Sequence, residues 1–253
     1  MAETKANKGS VIGSLKKLRL ERICRWRDEA SSSEPEDECI KRLGIHFAGL
    51  AGRGLDFDIP QRYRPWSLLD FSVAAVERSI DFLRGDATTL YLHGDIGTGK
   101  TSLAAAILYA WRWSGGACNL ECPRDCGARR SEYGRFLPAY QAAAILRNLD
   151  TCQTAMTDWA GCLMLVLDDI GANRATPHVQ EQLLFLLQER YDRCKKTIVT
   201  SNLDLNSLAV ALGERAASRL QEGILVELTG GDRRGRTVMG RAKSRQRAVN
   251  ALG

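Results

Sequence analysis

The octet Gly94-Asp-Ile-Gly-Thr-Gly-Lys-Thr101 decides the fold. It follows the apolar run Leu90–Leu92 and precedes the helix-forming run Ser102–Trp113. A strand that turns through glycines into a helix N-terminus is an anion site, because backbone N–H groups line the loop and the helix dipole adds partial positive charge. The G-x-x-x-x-G-K-[S/T] spacing sets Gly94, Asp95, Ile96, Gly97, Thr98, Gly99, Lys100, Thr101 and Ser102 around a nucleoside triphosphate. Lys100 would reach the β- and γ-phosphates, and the Thr101 hydroxyl would ligate the Mg²⁺ that accompanies them.

Working outward, strand-like and helix-like stretches alternate from about residue 59 to 230. Leu90–Leu92, Phe136–Tyr140, Leu163–Leu167, Thr197–Thr200 and Ile224–Leu228 read as strands. Pro138 confines the second to a sheet edge. Between the third and fourth, Val179, Leu183, Leu186, Leu187 and Tyr191 describe one helix face entered after Pro177. Alternation of this kind predicts an α/β fold with a parallel sheet covered on both faces.

Phosphoryl transfer also needs a metal anchor and a positioned water. Leu163-Met-Leu-Val-Leu-Asp168-Asp169 carries two acids to the carboxyl end of a buried strand, where open α/β sheets bind ligands. Asp168 is the expected Mg²⁺-side acid, opposite Thr101, and Asp169 the group that polarises water. Thr197-Ile-Val-Thr-Ser-Asn202 ends a strand in an amide that would face the γ-phosphate.

Six ordered blocks now stand together. They are Asp58-Ile-Pro-Gln-Arg-Tyr-Arg64, Gly94–Thr101, Leu167-Asp-Asp-Ile-Gly171, Leu183–Tyr191, Thr197–Leu203 and Leu212-Gly-Glu-Arg-Ala-Ala-Ser-Arg-Leu220. Over roughly residues 58–235 this succession resembles the DnaC-type AAA+ ATPases, the bacterial and phage helicase loaders, with the IstB transposition helpers as close relatives. The resemblance implies a P-loop NTPase of AAA+ type that hydrolyses ATP and has no separate lid domain. It matches Lys100 and Thr101 to Walker A, Asp168 and Asp169 to Walker B, and Asn202 to sensor 1. Arg219 matches the arginine finger offered in trans to a neighbouring subunit, which implies a homo-oligomer; Arg215, one helical turn earlier, is the rival. Gly231-Asp-Arg-Arg234 resembles the family's closing stretch. The implied function is loading of a replicative hexameric helicase onto single-stranded DNA. The alternatives are a transposition helper acting on duplex DNA with a transposase, and a non-hydrolysing adaptor clamped by ATP.

The ends differ from the middle. Net charge is +6 over 253 residues, and Arg233–Gly253 carries seven Arg/Lys and no acid. Residues 1–58 form an accessory part: Val11, Ile12, Leu15, Leu18, Ile23 and Trp26 share one helical sector, with Lys16, Lys17, Arg19, Arg22, Arg25 and Arg27 largely elsewhere. This basic amphipathic helix would dock on a partner protein, lie on nucleic acid or pack on the main domain; the Ser31–Glu38 linker closes it. The expected division is 1–58 as a partner-binding segment, 59–232 as the ATPase domain and 233–253 as a basic tail that follows phosphates. No secretory signal is visible at the N-terminus, and the longest apolar stretch, Cys162–Leu167, is too short to span a bilayer. The expected location is therefore cytoplasmic and nucleoid-associated, in a bacterium or its phage.

The link Gly115–Arg130 is longer than the family's. Cys118, Cys122 and Cys126 there are candidate Zn²⁺ ligands, free thiols or a disulfide, and no C-x-x-C pair occurs in the chain. Arg124, Arg129 and Arg130 make the same link a candidate DNA contact. Tyr63 and Trp66 would pack either near adenine or in the core. His93 reads as a strand-end residue.

Overall fold

A computed structural model of the chain describes residues 59–63, 66, 68–113, 134–171 and 176–233. The expected amphipathic helix and linker, the Cys118/Cys122/Cys126 link and the tail beyond Arg233 lie outside these residues. Within them the elements run α1 (Val73–Arg84), β1 (Thr89–His93), α2 (Lys100–Trp113), β2 (Gly134–Pro138), α3 (Ala139–Leu146) and α4 (Leu149–Gly161). They continue through β3 (Met164–Asp168), α5 (Pro177–Asp192), β4 (Lys196–Ser201), α6 (Leu205–Leu212), α7 (Glu214–Gln221) and β5 (Ile224–Glu227).

The five strands form one sheet in the order β2-β3-β4-β1-β5, and every neighbouring pair is parallel. Side chains alternate across it, as a sheet buried on both faces requires. Leu90, Leu92, Met164, Val166 and Ile198 pack on the side of α1 and α2. Tyr91, Leu165, Leu167 and Val199 pack on the side of α3 to α7. Helix α2 is enclosed: Leu103–Leu108 are fully buried. Its N-terminus, and hence the glycine loop before it, is thereby anchored in the core.

Two strand boundaries differ from expectation for identifiable reasons. The second strand stops at Pro138, which serves as the N-cap of α3 with extended backbone, so Tyr140 is helical. Pro138 does lie on the edge strand, where its missing N–H costs no ladder bond. The third strand begins at Met164, and Leu163 is exposed. The carbonyl of Cys162 is taken by the Arg190 guanidinium at 2.8 Å, which turns the chain there before the strand starts.

Among the described residues Arg190 is the largest fully buried side chain, on the α5 face the apolar pattern assigned to Tyr191. Its guanidinium donates to the carbonyls of Trp159 (2.7 Å), Cys162 (2.8 Å) and Lys196 (2.6 Å) and to the Thr197 hydroxyl (2.9 Å). It thus ties the C-terminus of α4 to the start of β4, where a positive charge complements the helix dipole.

Candidate functional site

The sheet order governs the site. Strand β4 runs between β1 and β3, so its last residues lie between the glycine loop and the paired acids. The loop leaves β1 at His93 and enters α2 at Lys100, with Gly94 at φ 133° and Gly97 at φ 88°. Conformation favours glycine at both positions, and closeness to backbone demands it at Gly94 as well. A Cβ on Gly94 would lie 2.2 Å from the Leu228 carbonyl oxygen, and one on Gly97 would lie 2.5 Å from an Asp232 carboxylate oxygen.

Lys100 is nearly buried, and its ammonium donates to the carbonyls of Gly94 and Asp95, both at 2.7 Å. The cation is folded onto its own loop, at the place where phosphate oxygens would take over these bonds. Thr98 braces the turn by donating its hydroxyl to the Asp95 carbonyl at 2.8 Å. Ser102 is buried at the start of α2, whereas Ile96 stands exposed at the tip of the loop.

Asp168, the last residue of β3, is only 7% exposed. Burial pushes its carboxyl up from 3.8 to about 6, opposed by hydrogen bonds from the hydroxyls of Thr200 and Thr101 and by the Lys100 charge. The Thr200 hydroxyl donates to Asp168 at 2.7 Å and accepts the Asp169 N–H at 2.8 Å. One β4 side chain therefore fixes both acids. Asp169 has φ 63°, a left-handed backbone uncommon for a residue other than glycine and held here by surrounding bonds. It turns the second carboxylate outward, where the Asn202 amide donates to it at 3.4 Å. Ser201 closes the same turn by donating to the Ile170 carbonyl at 2.6 Å.

A buried carboxylate beside a hydroxyl suits a small hard cation. Asp168 and Thr101 supply the oxygen donors Mg²⁺ prefers, and such an ion usually keeps several waters and substrate oxygens as its other ligands.

Arg219 stands apart from this group. The Thr89 hydroxyl donates to the Arg219 carbonyl at 3.3 Å, which places Arg219 at the start of β1. The phosphate loop leaves the other end of that strand, about 13 Å away at the usual rise per residue. Arg219 and Arg215 line a groove with Gln188, Glu214 and Ser218. Tyr63 stacks on Phe136, and Trp66 meets Phe71 at a tilt of 39°, so core packing accounts for both. His93 stacks on Tyr91 at 5.5 Å.

A parallel sheet in which β4 lies between the glycine-loop strand β1 and the acid-bearing strand β3 settles the architecture. The fold is that of the DnaC-type AAA+ ATPases. A structure of the DnaC helicase loader matches at 23% identity with a TM-score of 0.55, covering 67% of this chain and 100% of that one. A structure of DnaI matches at 24% identity and TM-score 0.54, over 70% and 95% of the two chains. The replication initiator DnaA, bound to AMPPCP and single-stranded DNA, matches at 20% identity and TM-score 0.55. This chain spans 60% of that DnaA structure and 55% of a DNA replication initiation factor. No protein-family model matches the sequence, and no curated protein matches it.

Two parts of the candidate site went unread at the sequence level. Thr200 reads as one more β-branched strand residue, though a hydroxyl beside Ser-Asn at a strand end was a usable signal. The segment after β5 was legible only through resemblance. The Arg233 N–H donates to the Gly97 carbonyl at 2.9 Å, and its guanidinium donates to the Asp70 carbonyl at 2.9 Å while lying 5.1 Å from the Phe71 ring centre. Leu228 to Arg233 thus forms a strap across the outer side of the phosphate loop.

Proposed function

We propose that this chain is an ATP-hydrolysing switch of DNA replication, an oligomeric loader that binds a replicative hexameric helicase and delivers it to single-stranded DNA. One observation carries the ATPase part: two strand ends and one helix start bring Lys100, Thr101, Asp168, Asp169, Thr200 and Asn202 together. Lys100 exchanges its loop carbonyls for phosphate oxygens. Thr101 and Asp168 hold Mg²⁺, which offsets charge on the β- and γ-phosphates. Asp169 polarises the attacking water, and the Asn202 amide keeps that carboxylate aimed. Arg219 completes the pocket of the next subunit, because the length of β1 separates it from its own phosphate loop.

The helicase and DNA part rests on the likeness to the DnaC helicase loader and on the charge of the ends. Residues 1–58 grip the helicase, and the basic tail follows DNA phosphates in a salt-dependent way.

ATP turnover with and without single-stranded DNA tests the first part. Lys100→Ala and Asp169→Asn should each lower it at least a hundredfold, and unchanged turnover would refute the catalytic assignment. Co-purification with a hexameric helicase tests the second. Deleting residues 1–58 should abolish it, and full retention would remove the role given to that segment.

A further inference from the structure

The groove that carries Arg219 has its own internal counterion. Arg219 lies with its guanidinium carbon 4.4 Å from the centre of the Tyr191 ring. Its Nη1 is 3.3 Å from one Glu222 carboxylate oxygen, and its Nε is 3.4 Å from the Gln188 side-chain oxygen. The Tyr191 hydroxyl donates to the other oxygen of Glu222, and this bond pushes the phenol pKa up. All three partners come from α5 and the end of α7, within the same subunit.

We propose that Glu222, braced by Tyr191, is a positioning residue that retains the Arg219 guanidinium on its own subunit and sets how readily it passes to a neighbour's triphosphate. This rests on Arg219 being the trans-acting finger. The chemistry is an exchange of anions. A guanidinium offers a planar fork that fits a carboxylate or a phosphate, and the side of the fork held by Glu222 is lost to phosphate until that contact opens. The ion pair is half-exposed, with side chains 36% and 49% accessible, so solvent screening keeps it weak enough to open. The Tyr191 ring does not compete for the same atoms. It covers the guanidinium face and limits the volume the side chain sweeps, which keeps the charge at the groove once Glu222 lets go. Arg215 lines the same groove one turn earlier and is exposed, without this bracing.

Glu222→Gln removes the charge but keeps the size and the stack on Tyr191. Specific ATPase activity should be measured against protein concentration for wild type, Glu222→Gln, Glu222→Asp, Arg219→Ala and the double variant Glu222→Gln/Arg219→Ala, with thermal unfolding of each as a folding check. The expected result for Glu222→Gln is half-maximal specific activity at a three- to tenfold lower protein concentration, with the same plateau. Glu222→Asp should remain near wild type. Arg219→Ala should be inactive at every concentration, and the double variant should match it. An inactive Arg219→Ala together with an unmoved or raised midpoint for Glu222→Gln overturns retention while leaving the finger in place. An active Arg219→Ala overturns the finger assignment itself and the retention built on it.

Discussion

Replacing Asp168 by Asn should make the nucleotide-free protein more stable while abolishing its turnover. The carboxyl is 7% exposed and pushed from 3.8 to about 6, with desolvation the leading cause. A shift of about two units corresponds to about 3 kcal/mol of penalty on the ionised form at neutral pH. Because the folded pKa lies above the unfolded one, the folded state binds more protons between roughly pH 4 and 6. Wild-type stability is then fully present below this window and falls as pH rises through about 6. The amide has no charge to desolvate, can still accept from the Thr200 hydroxyl, and can donate to Thr101. The Tm of Asp168→Asn should match wild type near pH 4 and exceed it by about 6–12 °C by pH 7, taking about 2–4 °C per kcal/mol for a domain of this size. Mg²⁺ with ATP should reverse the order, since the cation offsets the penalty in wild type and has lost an anionic ligand in the variant. Differential scanning calorimetry across pH 4–8, with and without Mg²⁺ and ATP, reads both effects. Equal Tm values at pH 7, or a difference that does not vary with pH, would refute the reasoning.

Other perturbations follow from single contacts. Thr200→Val keeps the strand but removes the hydroxyl that fixes both acids. Turnover should drop about a hundredfold, and the acid limb of the pH profile should move to higher pH, since that hydrogen bond lowers the Asp168 pKa. Gly97→Ala places a Cβ against Asp232 at φ 88°; strain of about 1–3 kcal/mol should lower Tm and weaken ATP binding measured by calorimetric titration. Arg190→Met leaves the carbonyls of Trp159, Cys162 and Lys196 without their donor. It should cost about 3–5 kcal/mol, read as a lower denaturant midpoint, and Arg190→Lys should not restore it because one ammonium cannot span sites on two elements.

The fold was legible wherever sequence pattern and local chemistry coincide. Gly94–Thr101 between a strand and a helix fixed β1 and α2, and the acids after Leu167 fixed β3, because each combines a buried apolar run with a turn that has a chemical purpose. Helices α3 and α4 went unread between these motifs, since Ala142 and Leu146 bury a short face that periodicity barely registers. Arg190 was illegible for a deeper reason. Burying a guanidinium is favourable only when several carbonyls converge on it, and those carbonyls belong to residues 28 to 31 positions earlier and six later. The strap over the phosphate loop has no periodicity at all, and its partners Gly97, Asp70 and Phe71 lie more than 130 residues away.

The strap and the sensor strand together say how phosphate occupancy would be felt beyond the pocket. Both meet the phosphate loop or the acids through short polar contacts rather than through the apolar core: Thr200 to Asp168, Asn202 to Asp169, and the Arg233 N–H to the Gly97 carbonyl. Such contacts weaken steeply with small displacements, whereas the packed faces around α2 resist them. A rearrangement of Lys100, Asp168 and Asp169 around a triphosphate would therefore be taken up by β4 and by Gly230–Arg233 before the sheet itself moved. From β4 it reaches Leu203, whose carbonyl accepts from the Tyr91 hydroxyl at 2.7 Å, and then α6 and α7, where Arg219 is carried. The path from the phosphate loop to the groove that holds Arg219 thus runs through β4, the strand that lies between β1 and β3 among the described residues.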